Sequence, residues 1–207
     1  MKLKAHILPR IAAIHQDVNS QVMLKPTANN RLDDPNDSIL ESHPSQLNHV
    51  LFKENKIYHH RLLRINYTTY NLQHGFDSIN PHTDHQAIML LSNLDNDSHP
   101  FSYAWVLEIF HTNIIHSGPG LKDFQLRWME FLWVQWFEVL QDCSSMWEQC
   151  TLDTVRFLPM ADEDAFSFID PANVLRGCHI IPSFVDGCLH PERVAISHCA
   201  GDSDDWK

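Results

Sequence analysis

Glycine is scarce in this chain, with 6 in 207 residues. A phosphate-cradling loop has little material to be built from, and neither a P-loop nor a Rossmann glycine fingerprint is present. Basic residues are short as well: 15 Lys and Arg stand against 26 Asp and Glu, for a net charge of −11. The shortfall is uneven. Residues 1–61 carry 8 basic and 6 acidic side chains, whereas residues 62–207 carry 7 and 20. Affinity for nucleic acid rests largely on Lys and Arg neutralising phosphates, so the second stretch, at −13, is a poor general binder of DNA or RNA. No apolar run approaches the ~20 residues of a membrane span. The opening Met1–Arg10, broken by Pro9, does not read as a secretory leader. The five cysteines at 143, 150, 178, 188 and 199 are odd in number. The expectation is an intracellular protein with reduced thiols and no membrane association. G-x-S-x-G and H-E-x-x-H are missing too, so no catalytic residue and no cofactor is assigned.

What the chain does contain is apolar and aromatic residues in strand-like order, 43% and 10% of the total, with 11 Pro between them. Ile7, Leu8, Ile11, Ile14 and Val18 recur at three- and four-residue steps, which places them on one helical face. Pro9 suits a first turn, so the helix is expected to start near Leu8, within an N-terminal segment 1–24. Residues 25–49 read as a polar linker or long loop. A β-rich domain over 50–185 follows, with strands expected at Val50–Phe52, Lys56–His59, Leu63–Leu72, Ala87–Leu91, Phe101–Ile115, Met129–Phe137, Thr154–Leu158, Phe166–Ile169 and Val174–Ile181. Gly75–His85 reads as a loop, and Asp170–Asn173 as a turn or a single helical turn. Met129–Phe137 is apolar on both faces, as a strand covered twice would be. Short strands, brief turns and no alternating helices predict a mainly β fold: a small antiparallel barrel or twisted sheet with an N-terminal helix and a long polar loop. Residues 186–207 form a polar tail.

Fifteen histidines raise the question of metal. Cys178, His179, Cys188, His190, His198 and Cys199 supply enough donors for tetrahedral zinc, but not in the close pairs that zinc sites use. Cys178 and His179 are also expected to point to opposite faces of a strand. The His82–His85 pair lies in a polar loop, and His59–His60 reads as a solvated pair. No metal ligand is assigned. Asp162, Glu163 and Asp164 read as an acidic turn rather than a carboxylate site, since catalytic carboxylates converge from separate elements. Tyr103, Trp105, Trp133 and Trp136 have the composition of a cage for a cation such as methyl-lysine. The same rings are what a small β core needs for filling, and the core reading is preferred.

Seven segments, in order, carry a resemblance: His6–Ile11, Phe52–His60, Arg64–Tyr70, Asp77–Pro81, His99–Ala104, Phe131–Val134 and Val174–Phe184. As an ordered set they resemble the C-terminal region encoded by Plavaka-like elements, a fungal branch of the CACTA-type DNA transposons. The resemblance implies a region downstream of the RNase H-like transposase core, with no activity of its own to carry over. It also implies a family pattern that continues beyond Trp206, so a truncated or degenerate copy is expected. Two functions follow as expectations. One is a non-catalytic accessory module whose partner is a protein, by resemblance a transposase or a chromatin component, in the nucleus. The other is a nucleic-acid-binding or zinc-dependent part of a transposition machinery.

Overall fold

The computed structural model describes residues 2–22, 47–70, 72–92, 99–117, 124–140 and 152–181, with side chains from 2 to 14 in the first segment. Most of the expected linker at 25–49 and the expected tail from 186 lie outside the described residues. Among the described residues, helix α1 (Lys2–Val22) precedes ten strands. They are β1 (Val50–Phe52), β2 (Tyr58–His60), β3 (Leu63–Thr68), β4 (His74–Ile79), β5 (Ala87–Leu91), β6 (Phe101–His116), β7 (Arg127–Val139), β8 (Val155–Phe157), β9 (Phe166–Ile169) and β10 (Val174–Gly177). The fold is mainly β and antiparallel. The main sheet, in the order β10-β5-β6-β7-β8, stays open as a twisted sheet and does not close into a barrel, while β3 and β4 form a separate two-stranded sheet.

The chain divides into two compact units. The first comprises residues 1–56 and 112–129. Ile7, Leu8 and Ile11 of α1 are buried there together with Leu47, Val50, Ile114 and Met129. Strand β1 pairs antiparallel with the end of β6, setting Val50 opposite His116 and Phe52 opposite Ile114. The hydroxyl of Thr112 donates to the carbonyl of Lys56 at 2.8 Å. The helix starts at Lys2, not near Leu8, and holds Pro9 inside it. Proline removes one helical hydrogen bond. Leu3 and Ala5 nevertheless pack on the same cluster as Ile7 and Ile11, and burying such side chains contributes roughly 1.5–3 kcal/mol each for the larger ones. Apolar burial outweighs the proline.

The second unit comprises residues 57–111 and 130–207. Its core gathers Ile79, Ile88, Leu90, Ala104, Val106, Ile109, Leu132, Val134, Ile169 and Val174. The register sets Ala87 opposite Trp105 and Leu91 opposite Phe101 between β5 and β6. It sets Leu132 opposite Ile169 and Gln135 opposite Phe166 between β7 and β9. Phe131, Leu132, Val134 and Gln135 are all fully buried, so both faces of β7 are covered along this stretch, as its apolar run predicts. Asp170 caps a single 3-10 turn over Pro171–Asn173 by accepting from the Ala172 N–H at 2.9 Å.

Several strand boundaries differ from expectation; β3 ends at Thr68 rather than Leu72, where the chain turns, and two larger departures have a clear cause. Residues 74–79 form β4 where a loop is predicted. Glycine and aspartate are poor strand formers, and Gly75 and Asp77 hide an alternation in which Ile79 reaches the core. Strand β10 ends at Gly177 rather than Ile181, because its partner β5 begins at Ala87 and pairs Ile88 with Gly177. Beyond that point a single bond, from Cys178 N–H to Ala87 O at 3.0 Å, continues the contact.

Phe131 lies between the rings of Phe110 and Phe168, at 5.5 and 5.6 Å. Phe131→Ala leaves a cavity at a fully buried position, and the expected loss is about 3–5 kcal/mol of stability. Denaturant unfolding of the two proteins side by side checks this.

Candidate functional site

The β3–β4 hairpin builds one wall of a candidate site in the second unit. It pairs Leu63 with Ile79 through Thr68 with His74. Its turn is closed by Thr69 N–H to Gln73 O at 2.9 Å, with Leu72 at φ 60. Tyr67 faces Gly75 in this register. A Cβ at position 75 would stand 2.7 Å from the Tyr67 ring, so the phenol covers the glycine backbone directly. The Arg176 guanidinium of β10 stacks on that ring at 3.6 Å. It also donates from Nε to Asp77 Oδ2 at 2.7 Å. The same oxygen accepts the Gly177 N–H at 3.0 Å. Asp77 therefore ties the hairpin to the end of β10, and its bond holds the Arg176 pKa above the ordinary value.

Beside this clamp lies an open groove of about 360 Å³, lined among others by Phe76, Asp77, His85, Cys178 and His179. The His85 and His179 rings meet edge to face at 5.3 Å. The Phe76 ring is 55% exposed and lies under the Arg64 guanidinium at 4.4 Å. Burial pushes the Cys178 thiol up to about 11. The groove thus offers a protonated thiol beside the His85, His179, Asp77 and Phe76 side chains. A protonated thiol is a poor nucleophile and a poor metal ligand.

Several sequence expectations meet at this groove. Cys178 and His179 both line it, instead of facing opposite ways, because the chain has left the sheet after Gly177 and strict alternation no longer applies. Cys188, His190, His198 and Cys199 lie outside the described residues. The His82–His85 pair diverges: His85 enters the groove, while His82 meets the His59 ring at 6.2 Å. His59 and His60 are not simply solvated. His59 Nε2 meets Glu108 Oε2, and His60 Nε2 is hydrogen-bonded to His111 Nδ1. Asp162, Glu163 and Asp164 are exposed, on a turn in which Asp162 Oδ1 accepts the Asp164 N–H at 3.0 Å. Among the described residues, no group of three or more His, Cys, Asp or Glu is placed to hold a metal ion.

The four candidate cage rings go to separate partners. Trp105 packs on Phe137 and Phe157, and Trp133 on Phe166 and Phe168. Trp136 donates from Nε1 to Ser167 Oγ at 2.6 Å. Tyr103 donates to Asp153 Oδ2 at 2.5 Å. That last carboxylate also meets His99 Nε2 at 3.2 Å, giving a Tyr–Asp–His cluster that sequence reasoning missed. Burial and the Asp153 carboxylate push the Tyr103 phenol well above its ordinary range, so it stays protonated as a hydrogen-bond donor. Nothing in the spacing of residues 99, 103 and 153 signals their meeting. Among the described residues, no helix is long and apolar enough to cross a membrane. No family model, curated protein or solved structure matches the chain.

Two measurements follow from the geometry. Asp77→Ala orphans the Gly177 N–H and frees Arg176, and about 1–2 kcal/mol of stability is expected to go with it. Half-exposure of Arg176 keeps the ionic share small, so Asp77→Asn, which still accepts from Gly177, is expected to lose less than half as much in denaturant unfolding. For Cys178, a pKa near 11 against an ordinary 9.0 means about a hundredfold fewer thiolates at pH 8. Peptide mapping after brief iodoacetamide treatment is expected to find this cysteine slow to alkylate, with the rate still rising above pH 10.

Proposed function

We propose that the chain is a non-catalytic accessory module of the transposon lineage its ordered segments resemble, and that it works by contacting another protein through the groove beside the β3–β4 hairpin. One observation carries this reading: an accessible aromatic ring, two imidazoles and a carboxylate line one open concavity. Such a mixture suits a peptide that brings an apolar anchor and hydrogen-bond donors. The −13 balance of residues 62–207 favours a basic partner segment, because a field of one sign speeds the encounter with the other. By resemblance the partner belongs to a transposase or to chromatin, and the setting is nuclear.

The test is fluorescence anisotropy of the full chain against a panel of labelled Lys- and Arg-rich peptides, each with one aromatic or aliphatic anchor. Binding at roughly micromolar Kd is expected, weakening several-fold from 50 to 300 mM salt as screening shortens the field. Phe76→Ser and His179→Ala, both exposed substitutions, are expected to weaken it further without changing the unfolding midpoint by more than a few degrees. Binding to no peptide, or binding indifferent to both substitutions, overturns the proposal. Stoichiometric zinc in the purified protein would move the reading to the metal-dependent class.

A further inference from the structure

A second feature of the 57–111/130–207 unit stands apart from the groove. Strand β2 is only three residues long and pairs with the middle of β6, Tyr58 opposite His111 and His60 opposite Ile109. Tyr58 and His60 share one face of β2 by two-residue periodicity, and both reach His111. The Tyr58 ring stacks on the His111 imidazole at 4.7 Å, 7° from parallel. His60 Nε2 meets His111 Nδ1 in a direct hydrogen bond. His111 is 6% exposed; His60 is half-buried. Two imidazoles thus fasten a strand too short to hold by backbone bonds alone.

We propose that the His60–His111 pair is a proton-operated latch, which holds β2 on β6 while it carries at most one extra proton and releases β2 when both rings are charged. The chemistry of the bond sets this threshold. Between two neutral rings, one nitrogen donates its N–H and the other accepts on its lone pair. One added proton leaves an imidazolium donating to a neutral acceptor, and the bond only gains charge. A second proton fills the remaining lone pair. The bond is then lost and two positive charges face each other beneath Tyr58. The groups that face His111 include His60 and Tyr58 from β2 and Glu130 from β7. Burial first, and then the charge on His60, lower the His111 pKa from its ordinary 6.5, while Glu130 opposes them. His59 and Glu108 contact each other, on the alternate residues of the same two strands.

The sign of the pH effect follows from that shift. The unfolded chain takes up this proton near pH 6.5, and the folded chain only below it. Stability is therefore complete above about pH 6.5 and declines as the pH falls toward the lowered value. Release of β2 uncovers backbone groups of residues 109–111 of β6, an edge of the kind to which an added strand binds.

The experiment is a histidine side-chain NMR titration of the full chain from pH 8 to 5, with backbone exchange of residues 57–60 corrected for intrinsic rates. The His111 signal is expected to titrate below 6.5, in a step linked to the His60 signal. Protection of the β2 amides is expected to drop tenfold or more across that step. In His60→Gln, whose amide can still bond His111, the β2 amides are expected to keep their protection over the same range. Two independent titrations at ordinary values, unchanged β2 protection, or an equal drop in His60→Gln overturn the latch. Should His60→Gln fail to fold, the linked or unlinked titration of the native chain still decides.

Discussion

Two strands of sixteen and thirteen residues, β6 and β7, impose the demand that the rest of the structure answers. Long strands carry long rows of N–H and C=O groups, and those removed from water must be partnered. Strands of three to five residues do this. Strands β5, β2 and β1 each pair with a different stretch of β6, and β8 and β9 with different stretches of β7. No single flanking strand has to match the full length. The cost is that every short strand is individually weak, and side chains must supply the remaining hold. The Tyr58–His60–His111 contacts, the Asp77–Arg176 clamp and the Trp136–Ser167 bond each sit where a short element meets a neighbour.

The aromatic residues show how packing and chemistry compete for the same side chains. Of the rings that composition alone would allow to form a cation cage, Trp105 and Trp133 pack instead on Phe partners, Trp133 nearly parallel to Phe166, beside a Phe137–Phe157 stack at 4.3 Å. Each such pair adds some attraction beyond the area it buries. The groove, by contrast, is framed by polar contacts. Its position depends on a carboxylate and a guanidinium, and both prefer water unless paired. This difference separates a wall that is fixed by shape from one that is fixed by charge.

Much of the architecture was legible in the sequence, and the reasons for the exceptions are specific. Two-residue alternation locates β3 and β6, the doubly apolar run locates β7, and β5 and β9 show as short strands between turn signals. Strand β4 was hidden because Gly75 and Asp77 occupy positions where β-branched residues would normally announce a strand. The helix start was hidden because the rule for Pro9 is local, while the burial of Leu3 and Ala5 is tertiary. The groove was half legible: Cys178, His179 and His85 stood out by type, but only the fold brings residues 85 and 179 together. The Tyr103–Asp153–His99 cluster joins residues some fifty positions apart, and no spacing rule reaches that far.

The pairing scheme also fixes an order of events during synthesis. Strands β1 and β2 leave the ribosome well before the β6 residues they need, and β5 must wait for β10 to cover its second side. Contacts between segments remote along the chain make folding slow, because loop entropy is lost before the contact is gained. Half-made, the chain exposes unpaired backbone and apolar side chains together, the combination that invites association with other nascent chains. A protein assembled from many short strands around two long ones is therefore most open to such association before its last strands are made.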